Sequence, residues 1–385
     1  MMPGMAGVDR DPLGSLGGLQ ILDFSRVLAG PFATMMLGDL GASVTKVERP
    51  GVGDETRAWG PPFDARGQAT YFESVNRNKR SIVLDLTAGP DCDRALELAR
   101  ESDVIVENFR PGVMERLGLG YEQLRATNPA LVYCSITGFG SGPGAELPGY
   151  DLLVQALGGL MSITGSPDGE PQKVGVALVD ILAGLFASVG ILAALRHRDA
   201  TAEGQLVEVD LLSSLLAGLV NQASAFTIAG VVPGRLGNAH PSISPYELYA
   251  TADGDLVLAV GNDRQFAALC EVIGAPGLSA DPRFAGNGDR VANREALHAE
   301  LMERLAARPA SQWADELTAV RVPAGVVNDL AGAFALAESL GLEPVVAVPA
   351  ADGSTVRLTR NPIRLSRTPP SYRSAPPPLP DAEQP

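Results

Sequence analysis

Five short apolar runs, LQILDFS (19–25), SVTKVE (43–48), SIVLDL (81–86), DVIVENF (103–109) and LVYCSITGFG (131–140), are separated by stretches with helical spacing. Runs of this length suit buried strands, and helices between successive strands let them pair in parallel. The alternation therefore predicts an α/β fold with a parallel sheet. PFATMMLGDLG (31–41) reads as the first crossover helix, with its proline in the first turn, where no helical hydrogen bond is lost. Further helices are expected over 91–101 and near 112–117, and GQLVEVDLLSSLLAGLVNQ (204–222) adds a strand and a helix.

The texture then changes. Residues 16–222 form the expected large domain and 223–239 a linker, leading into VVPGRLGNAHPSISPYELY, a loop rich in Pro, Gly and polar residues. Over 240–330 a hairpin pattern turning at Asp253-Gly254, then helical patterns over 263–273, 293–307 and beyond Pro309, predict a smaller α+β domain. Residues 331–366 would return to the large domain. The segment 1–15 reads as a flexible leader, and 367–385 as a tail too Pro-rich and polar to pack, either disordered or an extended arm.

A net charge of −15 argues against a nucleic-acid partner, which needs a positive surface. Cys92, Cys134 and Cys270 are far apart, without metal-ligand spacing or a secretory signal before them, and read as reduced thiols of a cytoplasmic protein. The apolar run 181–195 is short for a membrane span and rich in Ala and Gly, so a buried core helix over 181–197 is expected instead, and no membrane partner. His197, His240 and His298 share no helix face with a second strong ligand, which gives no metal site. Glu48 ends the second strand where a ribose-binding acid would stand. The turn SRVLAGP nevertheless lacks the G-x-G-x-x-G that lets a backbone approach a pyrophosphate, so a nicotinamide cofactor is rejected.

Two features call for chemistry. Basic residues gather beside predicted strands: Lys46 and Arg49, then Arg77, Lys79 and Arg80, then Arg110. Each is readable as a solvated charge, whereas together in one crevice they would suit a phosphate-rich ligand. In KVGVALVDILAGLFASVGILAAL (173–195) a single carboxylate, Asp180, stands amid apolar and small residues. Either it caps the helix that follows or it faces a site, since burial without compensation costs several kcal/mol. His240, in a loop of Gly, Pro and Asn, reads equally as a satisfied loop residue or a functional one.

The segments LDFSRVLAGPFATMMLGDLGASVTKVERPGVGD, NRNKRSIVLDL, VENFRPGVMERLGLGY, SITGFGSGPGAELPGYD and GVALVDILAG resemble, in order and spacing, the successive signatures of the class III CoA-transferases, from about residue 16 to 330. That family also holds formyl-CoA transferase, carnitine CoA-transferase and the α-methylacyl-CoA racemases. The resemblance implies an interlocked homodimer with a Rossmann-like large domain. Coenzyme A and acyl-CoA would be substrates, with no tightly bound cofactor. It gives Asp180 the catalytic role and places Val27, Ala29, Arg49, Lys79, Asn108, Phe109 and Arg110 on CoA, with Tyr133 and residues 137–139 nearby.

Similar racemases carry a histidine where this chain has Tyr150, beside Asp151. A phenol near pKa 10 serves poorly as a base at neutrality, so transfer is expected and an α-methylacyl-CoA racemase is the alternative. The stretch GNAHPSISPYE, followed by DGDLVLAVGNDRQF, resembles the succinyl-CoA:dicarboxylate branch of glutarate type. A dicarboxylate needs a cation for its free end. Arg26, Arg57 and Arg77 are the candidates, Arg26 foremost, with Ser135, Tyr150 and His240 as further tentative substrate contacts.

Overall fold

The computed structural model describes residues 14–380, so all but the end of the expected leader, and the last five residues of the tail, lie outside the described residues. The chain forms two compact units. One comprises residues up to Leu160, Val174–Gly230 and those from Glu343 onward; the other comprises Met161–Lys173 and Val231–Leu342. The smaller unit thus takes in residues 331–342, expected to belong to the return segment, and an excursion at 161–173, expected within the large domain.

The first unit runs β1 (Gln20–Asp23), α1 (Ala29–Asp39), β2 (Ser43–Glu48), α2 (Thr70–Glu73), β3 (Lys79–Val83), α3 (Gly89–Glu101), β4 (Val104–Glu107), α4 (Val113–Arg116), α5 (Tyr121–Arg125), β5 (Val132–Thr137) and α6 (Asp151–Leu157). After α7 (Leu160–Ile163) come α8 (Leu178–Thr201), β6 (Leu206–Asp210), α9 (Leu211–Gly218) and α10 (Val220–Ala229). The strands form one sheet in the order β3-β2-β1-β4-β5-β6, and every pairing is parallel. This is the doubly wound order, with its reversal between β1 and β4, so the natural ligand crevice lies beyond the carboxyl ends of those two strands. Val104, Ile105 and Val106 of β4 are fully buried, as a central strand covered on both faces requires.

Helix α8 buries Val179, Ala183, Gly184, Ala187, Ser188, Ile191, Ala194 and Leu195, a face that packs on α1, β5 and β6. Gly184 permits this approach, because a Cβ there would stand 2.6 Å from the carbonyl oxygen of Ala29. The opposite face keeps Leu185, Phe186, Val189 and Leu192 exposed. The helix is therefore only half the buried core helix that its uniform apolarity suggested. It is long and apolar enough to cross a membrane by composition alone, yet one face is committed to the sheet.

Beside β1 a set of ion pairs lies inside the first unit. Lys46 Nζ contacts Asp54 at 2.9 Å and Lys79 Nζ contacts Asp23 at 3.0 Å, all four side chains fully buried. Arg57 grips Glu48 through two bonds of 2.6 and 2.7 Å, and Arg77 grips Asp39 through two of 2.6 and 2.9 Å. Charges balance within each pair, as low-dielectric surroundings demand.

The Pro-rich segment, read from its composition as too polar to pack, makes bonds and buried contacts within the first unit. Arg373 donates to the carbonyls of Gly38 and Ala42, Asn78 donates to Ser371 O, and Arg57 to Pro377 O. Ala375 is buried with the hairpin of β10 (Val345–Pro349) and β11 (Thr355–Thr359). The second unit has an antiparallel sheet of β7 (Tyr246–Ala250), β8 (Asp255–Ala259) and β9 (Ala324–Val326). Four helices complete it, α11 (Asp263–Val272), α12 (Asn287–Ala292), α13 (Arg294–Leu305) and α14 (Ala310–Ala319), with α15 (Leu330–Ser339) following β9. Its core gathers Tyr249, Leu258, Phe266, Phe284, Leu301 and Trp313.

Candidate active site

The turn after β1 is held residue by residue. Ser25 O accepts from Lys46 Nζ at 2.7 Å. The Asn108 amide, just past β4, accepts from Arg26 N–H and donates to Arg26 O, both at 2.8 Å. Val27 N–H points to the Asp54 carboxylate at 3.3 Å. Val27 itself adopts φ 67°, a left-handed conformation that a β-branched residue seldom takes and that costs about 1–3 kcal/mol. The surrounding bonds hold that strain at the switch point of the sheet. The Asn108 side chain, expected on CoA, is thereby engaged with the backbone of the neighbouring turn.

Asp180 is the third residue of α8, so it is not the helix N-cap; that position belongs to Ala177, which offers no side-chain bond. The capping acceptor comes from α6 instead. Asp151 Oδ1 accepts from Val179 N–H at 2.8 Å and from Asp180 N–H at 3.4 Å. Burial pushes the Asp180 carboxyl up to about 7, and the Asp151 charge adds to the rise. Desolvation and a like charge thus disfavour its ionised form. Tyr71 of α2 is raised by burial and then by the charges of Asp180, Asp151 and Asp54.

A cleft of about 320 Å³ joins these parts, lined by Arg26, Val27, Ala29, Asn108, Phe109, Arg110, Tyr150 and Asp180 among the anticipated residues. A recess of about 100 Å³ opens from the same side chains toward residues 137–139. A third hollow of about 360 Å³, mostly apolar, lies between Leu84, Leu86, Val113 and Leu117; it shares Arg26 and Phe109 with the cleft and has Arg49 at its wall. Arg26 sits over the Phe109 ring at 4.5 Å and 3.4 Å from Glu55, which also holds Arg49 at 3.0 Å.

The other candidates lie elsewhere. Lys79 is fully buried, donating to Asp23, Asn76 and Pro31 O, and burial brings its ammonium down to about 8. Arg57 and Arg77 are spent on Glu48 and Asp39. Tyr133 is buried in the core on α3 and α5, and Ser135 lies beside the buried Glu107. His240 belongs to the second unit, where its ring meets Tyr246 and its Nδ1 accepts from Ser242 N–H. The basic loops therefore do not converge as expected: Lys46, Arg77 and Lys79 point inward to acids, and Arg49 and Arg110 remain at the site. Sequence reasoning missed Glu55 and Trp59, which line the cleft, because neither stands in a stretch whose pattern implies a ligand. Asp151 was visible beside Tyr150, but nothing in the sequence links it to a helix 28 residues on.

Residues 16–383 match the profile of CoA-transferase family III. The chain belongs to that family. It is 46% identical to the succinate–glutarate CoA-transferase of Agrobacterium fabrum over 94% of this chain and 92% of that one. It is 43% identical to the acetyl-CoA:oxalate CoA-transferase of Acetobacter aceti, over 92% and 90%. Among solved structures, a CaiB/BaiF family protein from Brucella suis superposes with a TM-score of 0.85 at 43% identity, covering 95% of this chain and 96% of that one. The CoA-transferase carries its candidate carboxylate where the doubly wound sheet opens its crevice.

Proposed function

We propose that this CoA-transferase exchanges CoA between succinyl-CoA and a small dicarboxylic acid, with Asp180 as the covalent carrier. The carrying observation is a partly buried carboxylate in the switch-point cleft, with the Arg26 guanidinium among its lining residues. Relatives named for glutarate and for oxalate act on dicarboxylates, which favours that acceptor class.

In this reading the adenosine occupies the apolar hollow between Leu84, Leu86 and Val113, and Arg49 meets the phosphates. The pantetheine arm follows residues 108–110 to Asp180. The ionised carboxylate attacks the thioester carbonyl; the C–S bond breaks and CoA leaves as thiolate, forming an acyl–aspartyl anhydride. The thiolate attacks the aspartyl carbonyl, releasing the donor acid and leaving an aspartyl-CoA thioester. An acceptor carboxylate attacks that thioester, and the expelled thiolate takes the new acyl group, which frees Asp180. Thioester energy is conserved throughout. A carboxyl near 7 is a balanced choice, ionised enough to attack and a good leaving group afterwards.

Arg26 would hold the distal carboxylate in competition with Glu55. The exposed apolar residues of α8, with Phe226 and Ile228 of α10, favour a homodimer, interlocked as in the family. Purified protein supplied with succinyl-CoA and a panel of mono- and dicarboxylic acids, read by mass spectrometry, tests the substrate reading. New acyl-CoA with dicarboxylates alone supports it, and preferential use of monocarboxylates overturns it.

A further inference from the structure

Gln155 is fully buried yet polar throughout, and every bond it makes serves the approach to Asp180. It lies one turn after Asp151 on α6. Its Nε2 donates to Asp151 Oδ2 at 2.6 Å and toward Val176 O at 3.4 Å, and its Oε1 accepts from Val174 N–H at 2.9 Å. Val174 is the residue at which the chain re-enters the first unit. Asp151 carries the grip onward, its other oxygen accepting from the first amides of α8. Two side chains on one helix face thus fix both the incoming segment at Val174 and the helix terminus that presents the carboxylate.

We propose that Gln155, acting through Asp151, is a positioning residue that sets the place and the proton affinity of Asp180. This rests on the reading of Asp180 as nucleophile. The geometry makes the pair a relay: Gln155 orients the Asp151 carboxylate, leaving one oxygen for the α8 amides. The ionisable and charged groups around Asp180 are Asp151 from α6, Tyr150 just before it, Tyr71 from α2, and Arg26, Glu55 and Arg110 from the loops lining the cleft. Of these, Asp151 contributes the electrostatic rise beyond burial. A nucleophile displaced by about 1 Å loses on the order of 100-fold in rate.

The test uses a donor–acceptor exchange. Gln155→Leu removes the clamp, taking away the bonds to Asp151 Oδ2 and Val174 N–H. Asp151→Asn alone opposes two amide NH2 groups. Asp151→Asn with Gln155→Glu restores complementary bonding. The amide now on the first position accepts from α8 and donates to the carboxylate one turn on, which carries the negative charge away from Asp180. Rates are measured on full-length protein across pH, with thermal unfolding as control. We expect Gln155→Leu and Asp151→Asn each to lower kcat by about 10–100-fold, with KM for acyl-CoA within about twofold of wild type. The double variant should regain at least about tenfold over Asp151→Asn, with its acid limb at lower pH than wild type. An unchanged kcat and pH profile in Gln155→Leu would overturn the proposal. So would a double variant that folds but is no better than Asp151→Asn, which also decides the matter if Gln155→Leu fails to fold. Asp180→Asn is assayed alongside: persisting transfer there would sink the nucleophile reading, whereas its loss with an unmoved Gln155→Leu would sink the clamp alone.

Discussion

Replacing Asp180 by Asn should make the protein more stable while abolishing transfer, and the stability gain should depend on pH. The carboxyl titrates at about 7 in the fold against a reference of 3.8. At about 1.4 kcal/mol per pH unit, ionising it inside the fold costs up to roughly 4 kcal/mol, and residual solvent contact reduces this to about 2–4 kcal/mol. The sign follows from proton counting. Between pH 4 and 7 the folded state holds a proton that the unfolded state has released, so stability contributed by the protonated group falls as pH rises, then levels off. Asparagine has no such dependence. Urea titrations of both proteins at pH 4.5, 6 and 8 should show Asp180→Asn gaining on wild type with each step, with the full gap of a few kcal/mol at pH 8. A gap that stays constant with pH, or a wild type that is the more stable at pH 8, would refute the argument that Asp180 is a desolvated carboxylate held for chemistry.

Other predictions concern neighbouring groups. The acylation rate should rise about tenfold from pH 6 to pH 8, because the ionised fraction of a group near 7 changes by that factor; stopped-flow release of CoA thiolate measures it. Arg26→Gln should raise KM for a dicarboxylate by about 10–100-fold, the loss of a charge-assisted bond, and leave a monocarboxylate nearly unaffected in the same assay. Lys46→Met strands Asp54 beside the strained Val27 turn. It should cost about 3–5 kcal/mol by denaturant unfolding, since a buried charge loses its partner. Gly184→Val should lower the melting temperature by several degrees, because its side chain would meet the Ala29 carbonyl.

Much of this was readable from the chain, for physical reasons that also mark where reading stops. The parallel sheet was legible because a doubly covered strand such as VIVE reads as a nearly continuous apolar run. The turns after β1 and β4 were legible because family motifs fall there, and Asp180 because a lone carboxylate in an apolar run is anomalous. The inward lysines were not. Lys46 and Lys79 look like surface charges until the register sets Asp23 opposite Lys46 and brings Lys79 against it from β3. A partner 56 positions distant leaves no local trace. The arm past residue 367 misled for a related reason: its polarity suggested solvent, yet Arg373 donates to main-chain carbonyls at the end of α1 and in the following turn. The outer face of α8 shows the converse, apolar residues that this chain alone does not cover.

The central claim is that Asp180 carries CoA covalently. Incubation with succinyl-CoA, trapping with hydroxylamine and mass spectrometry of the tryptic peptide 174–196 test it most directly. The account predicts a hydroxamate on Asp180 that appears with acyl-CoA and is absent without it; transfer that proceeds with Asp180 unmodified, or with the adduct on another residue, would contradict it.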